Sequence, residues 1–122
     1  MNPFVRKPLK DKVLWGRMIE NTVGAKLFSS VQEAGGELFY WRERDDEVDY
    51  VVKIGKRLIA IEVKSGLYSE MLKIPSAFTH RYENTEHLFI IRDARKNNEK
   101  NAGARFVTLQ HFFENPGKSI GL

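Results

Sequence analysis

EVDYVVKIGKRLIAIEVKSG, residues 47–66, decides how this chain folds. Two apolar runs, 48–54 and 58–63, flank Gly55-Lys56, a Gly-X pair suited to a two-residue hairpin turn. With Ile54 paired to Arg57, antiparallel register sets Asp49 across from Glu62. Alternation along a strand gives Leu58, Ala60, Glu62 and Lys64 one shared face. Like charges directly opposite each other destabilise a sheet by roughly 0.2–1 kcal/mol, so this pairing calls for a cation nearby. Lys64 is one candidate and a divalent metal is another.

Outward from the hairpin, Leu38–Arg44 forms a strand that turns through residues 44–47 into the next. Before it, Asp11 is placed to cap a helix that runs to about Ala34 and stops at Gly35-Gly36. Leu14, Trp15, Met18, Ile19, Val23, Leu27, Phe28 and Val31 follow helical spacing and predict one broad buried face. Downstream, Ser76–Asn84 is expected to be a short helix with Pro75 in its first turn and Phe78 and Tyr82 on one side. His87–Arg92 and Arg105–Thr108 are expected strands separated by a polar loop, 93–104. A terminal helix, 109–114, ends at Asn115-Pro116-Gly117. The pattern predicts an α/β mixed sheet flanked by helices. Residues 1–10 form an irregular lead-in and 11–122 a single domain.

With 122 residues, 42% hydrophobic and 30% charged, the chain has the composition of a soluble globular domain. It has no apolar run long enough to span a membrane and no signal-peptide pattern at its start, which predicts a cytoplasmic protein without a membrane partner. The absence of cysteine excludes thiol catalysis, disulfides and zinc–thiolate sites. A net charge of +4 and a pI near 9.4 lean mildly towards a polyanionic partner. His80, His87 and His111 lack metal-ligand spacing, and neither a phosphate-binding Gly-rich loop nor a G-x-S-x-G elbow occurs.

Asp49 and Glu62 each interrupt an apolar run, and a charge beside a core must be paired, metal-bound or at an opening. An ordinary Lys64–Glu62 ion pair is the plain alternative. Glu20 lies in the long helix between Gly16 and Gly24, one turn away on either side. Helix-interior glycine costs on the order of 1 kcal/mol, so another backbone or a ligand is expected close by, or simply tight packing on the sheet. A first hairpin turning at Asp45-Asp46 would set Arg42 opposite Asp49, as its charge partner or as a phosphate contact. Arg44, Lys53 and Lys73 are further candidate phosphate contacts. Two carboxylates and a lysine suit Mg²⁺ (or Mn²⁺), which takes hard oxygen ligands and substrate phosphates.

Glu20 on the first helix, then Asp49, then Glu62-Val63-Lys64 resembles the PD-(D/E)XK nuclease superfamily. Within it, GRMIENTVGAKL, LFYWRERDDEVDYVV and LIAIEVKSG resemble the DUF4143 domain, usually the C-terminal part of AAA-type ATPases. The resemblance covers about 14–114 and implies a restriction-endonuclease-like fold with core order αβββαβ. It implies Asp49, Glu62 and the Val63 carbonyl as metal ligands, Lys64 as the catalytic lysine, and Glu20 as the helix-borne acid at metal or water. The activity implied is Mg²⁺-dependent hydrolysis of DNA phosphodiester bonds. Alternatives are a non-catalytic DNA- or protein-binding module of an AAA-type ATPase system, or a small homodimeric junction resolvase with Phe112, Phe113 and Trp41 available for the dimer surface. No ATPase module precedes these residues, so the domain is free-standing or a piece of a longer product.

Overall fold

A computed structural model describes residues 12–66, 73–93 and 103–122. Helix α1 (Lys12–Glu33) precedes strands β1 (Glu37–Glu43), β2 (Asp46–Ile54) and β3 (Arg57–Lys64). Helix α2 (Ser76–Arg81), strands β4 (Glu86–Ile91) and β5 (Ala104–Thr108), and short helices α3 (Leu109–Glu114) and α4 (Pro116–Ser119) follow. The Asp11 cap, the 1–10 lead-in and most of the 93–104 loop lie outside the described residues. Among those described, no helix is long and apolar enough to cross a membrane.

The strands form one five-stranded sheet in the order β1-β2-β3-β4-β5. The first three are antiparallel, while β3, β4 and β5 run parallel. The central hairpin has the expected register, Ile54 opposite Arg57, and Gly55 takes φ +57° as the first turn residue. Two cores cover the sheet. On one face α1, α3 and the C-terminal residues bury Val23, Leu27, Val31, Val52, Ile59, Ile61, Leu88, Ile90, Phe112 and Ile120. On the other, Phe78 from α2 and Ile74 pack on Val48, Val51, Ala60, Phe89 and Ile91. Each such aliphatic or aromatic side chain contributes about 1.5–3 kcal/mol by leaving water.

Helix α1 ends where its glycines predict. Gly35 has φ +79°, the Gly36 amide donates to the Val31 carbonyl (2.9 Å) and the Gly35 amide to that of Gln32 (3.1 Å), a Schellman closure. Its broad apolar face is narrower than the spacing suggests. Val23, Leu27 and Val31 are fully buried and Ile19 is half-buried, but Leu14, Trp15, Met18 and Phe28 are exposed. Residues four apart make a single stripe, and only that stripe meets the sheet.

The first turn and the helices after it differ in part from expectation. The first hairpin turns at Arg44-Asp45, because Glu43 pairs with Asp46 and Arg44 takes the left-handed φ of +58°. Register then slips between Phe39 and Trp41, so Asp49 and Tyr50 together face Tyr40 alone. The turn position, ahead of the bulge, sets Arg42 opposite Glu47 rather than Asp49. The bulge shifts the alternation of β2, so Val48 and Val51 enter one core while Tyr50 and Val52 enter the other. At the C-terminus, α3 ends at Glu114 with Asn115 as its C-cap, as expected, but it is not the last helix. Pro116 opens α4, where its fixed φ suits a first turn, and Ile120 beyond it is fully buried. Helix α2 stops at Arg81, three residues short of the expected end. Pro75 precedes it as N-cap, and the Phe78 and Tyr82 rings meet at 4.9 Å.

Candidate functional site at the fork of the sheet

The β2–β3 ladder runs from Ile54–Arg57 to Tyr50–Ile61, whereas β3 stays paired with β4 through Lys64–Ile91. Beyond Tyr50 and Ile61 the two strands are joined by side chains instead of backbone. The Val63 amide donates to Asp49 Oδ2 at 2.8 Å, and the Asp49 amide donates to Glu62 Oε1 at 3.3 Å. Each carboxylate thus satisfies an amide of the opposite strand. Asp49 and Glu62 thus meet where the sheet forks, one step past the last backbone pair, through these side-chain bonds and not as a pair within the ladder.

Glu62 is 6% exposed. Lys64 Nζ lies 4.0 Å from Glu62 Oε2, with the lysine side chain partly open to solvent. Burial pushes the Glu62 carboxyl up to about 8; the Asp49 charge adds to this and Lys64 opposes it. Glu20, half-buried on α1, is raised by burial first, then by Asp49 and Glu47, with Lys64 pulling the other way. Asp49 acts on both Glu20 and Glu62, and Lys64 opposes the rise of each. Such crowding fits a group of carboxylates that works around a cation. Among the described residues no three carboxylates or imidazoles gather at the spacing of a metal cage. Asp49 and Glu62 are the residues that could hold a hard cation, with solvent completing its shell.

Of the two helix glycines, only Gly24 answers a close approach. A Cβ there would collide with the Tyr50 hydroxyl and stand 2.7 Å from its Cζ. That ring reaches across α1 so that Tyr50 Oη donates to the Glu20 carbonyl at 2.8 Å. Among the described residues, Gly16 has only Ser65 Oγ nearby, at an ordinary 3.5 Å. Tyr50 is the residue that the strand pattern hides, since it passes for one more apolar position in β2. The signal was Gly24, four residues after Glu20. Burial raises the Tyr50 phenol to about 12, with Glu20 and Asp49 adding.

The candidate phosphate contacts are not gathered together. Arg42 and Arg44 stand at the β1–β2 hairpin, the same end of β2 as Asp49, with Arg42 Nε donating to the Arg44 carbonyl at 3.4 Å. Lys53 is exposed at the far end of β2, opposite Leu58. Four residues separate it from Asp49, about 13 Å along a strand. Lys73 is exposed and precedes the buried Ile74. Of the apolar residues considered for a dimer surface, Phe112 is fully buried and Trp41 and Phe113 are half-buried.

Together these elements define an α/β protein whose mixed sheet carries an acidic cluster with one lysine at its fork. The family model described as "Domain of unknown function (DUF4143)" matches residues 15–112, and the chain belongs to that family. No curated protein and no solved structure matches the chain.

Proposed function

We propose that this domain is a PD-(D/E)XK-type, Mg²⁺- or Mn²⁺-dependent nuclease that hydrolyses DNA phosphodiester bonds. The observation that carries this reading is the half-buried Asp49 beside the buried Glu62 at the sheet fork, with Lys64 next to Glu62 and Glu20 against Asp49. The order of one helix, three antiparallel strands, a helix and a parallel strand supports a restriction-endonuclease-like fold. Asp49 and Glu62, with the Val63 carbonyl, would hold the cation. When bound, it supplies charge neutralisation on the phosphate and a more acidic water. Lys64, partly exposed at the rim, orients the attacking water or stabilises the negative charge that builds on the phosphate. Glu20 completes the cluster from the helix side. Arg42 and Arg44, at the same end of the sheet, are the better placed of the four basic residues to meet the DNA backbone.

A second reading rests on the same contacts. Both carboxylates accept from backbone amides and Lys64 is close to Glu62, so the cluster also suits a non-catalytic DNA- or protein-binding module, including one serving an AAA-type ATPase. A homodimeric junction resolvase would need a surface other than Phe112. Cleavage of plasmid and branched DNA with Mg²⁺ or Mn²⁺ separates the readings, using the native chain, Glu62→Ala and Lys64→Ala. The nuclease reading expects cutting by the native chain alone. Cutting that survives both substitutions, or salt-sensitive DNA binding without any cutting, overturns it.

A further inference from the structure

We infer that Tyr50 is a positioning residue of this site: it fixes the α1 turn bearing Glu20 over Asp49, and Gly24 and the β2 bulge exist to let it do so. This rests on the nuclease reading above. Three separate observations converge on the contact. Tyr50 Oη donates to the backbone carbonyl of Glu20 at 2.8 Å, so the hydroxyl grips the same residue whose carboxyl meets Asp49. Gly24 supplies the space, because any Cβ there would collide with the hydroxyl. The bulge faces two residues of β2, Asp49 and Tyr50, against Tyr40. In a regular strand Val48, Tyr50 and Val52 would share one face. Here Val48 lies on the opposite face from Tyr50, and Asp49 occupies the crossover.

Tyr50 is therefore bound to the helix while its neighbour Asp49 is bound to β3 through the Val63 amide. One dipeptide ties α1 to β3 and sets the separation of Glu20 from Asp49 and Glu62. A plain packing role would need only the ring. The hydroxyl's bond to a carbonyl in mid-helix is what aligns the acid, in the way that groups behind a metal ligand commonly hold it in place.

The test uses the full chain. Mn²⁺ binding is measured by calorimetry and plasmid cleavage by gel for the native protein, Tyr50→Phe, Glu20→Gln and the double variant. Tyr50→Phe keeps the ring and removes only the hydroxyl. It is expected to weaken Mn²⁺ binding or cleavage by about 10–100-fold. The same substitution in the Glu20→Gln background is expected to change neither by more than about twofold, since the acid it positions is gone. Gly24→Ala, which displaces the hydroxyl while retaining it, should reproduce the Tyr50→Phe loss. Equal losses in both backgrounds would make Tyr50 a general packing residue and overturn the proposal, as would a native-like Tyr50→Phe. A native chain that binds no Mn²⁺ and cuts no DNA overturns the nuclease reading and this role with it. A native chain that does both but is indifferent to Tyr50→Phe overturns this role alone.

Discussion

Replacing Glu62 with Gln removes the most perturbed carboxyl of the site while keeping its size and an oxygen for the Asp49 amide. Burial and the Asp49 charge raise the folded-state pKa of Glu62 from the ordinary 4.5 to about 8. A carboxyl raised in this way stabilises the fold fully below its unfolded pKa and loses that contribution as pH rises through the folded one. At about 1.4 kcal/mol per pH unit, the interval from 4.5 to neutrality corresponds to a loss on the order of 3 kcal/mol. Urea midpoints of the native chain, measured with a chelator present, should therefore fall steadily between pH 5 and 8. Those of Glu62→Gln should fall much less. His87 acts in the opposite sense: burial lowers its pKa, so stability is lost as pH drops through the ordinary histidine range. That contribution is common to both proteins and cancels in their difference. Saturating Mg²⁺ should recover most of the native chain's loss at pH 8, because the cation takes the place of the proton. Midpoints that decline in parallel for the two proteins would refute the assignment of the strain to Glu62.

Three further outcomes follow from single contacts. Gly24→Ala should destabilise by about 1–3 kcal/mol, since the Tyr50 ring must move and its hydrogen bond is lost, whereas Gly16→Ala should be neutral or stabilising by up to about 1 kcal/mol; paired thermal melts distinguish them. Arg44→Gly should stabilise by about 1 kcal/mol, because a non-glycine residue holds the left-handed turn position; a lower denaturant midpoint would contradict this. Ser119 Oγ is buried without a partner, so Ser119→Ala should leave the melting temperature unchanged or raise it.

Much of this arrangement is written locally. The Gly55-Lys56 turn sets the register of the hairpin, and that register carries Asp49 and Glu62 to the same point just past the ladder, with Lys64 near the latter. Gly35-Gly36 marks the end of α1 for an equally local reason, the left-handed closure. What escaped depends on contacts remote in sequence. The bulge at Asp49-Tyr50 follows from a turn that forms at Arg44-Asp45, one residue earlier than the acidic pair suggests. Neither the polarity nor the β-propensity of this stretch separates the two turns. The apolar periodicity of α1 shows which residues could be buried, but not that the sheet covers only the Val23–Leu27–Val31 stripe. Likewise, Gly24 announces that something must come close to α1, and only the folded chain shows that it is Tyr50.

At the other end of the sheet, Arg57 grips Glu86 through two bonds of 2.8 Å and donates from Nη1 to the Gly121 carbonyl at 3.0 Å. Arg57 and Lys64 are the first and last residues of β3, a span of about 23 Å along the strand. A fluorophore or affinity tag joined after Leu122 therefore emerges beside Arg57, a strand's length from the acid cluster. A group attached there stands away from Asp49, Glu62 and Lys64.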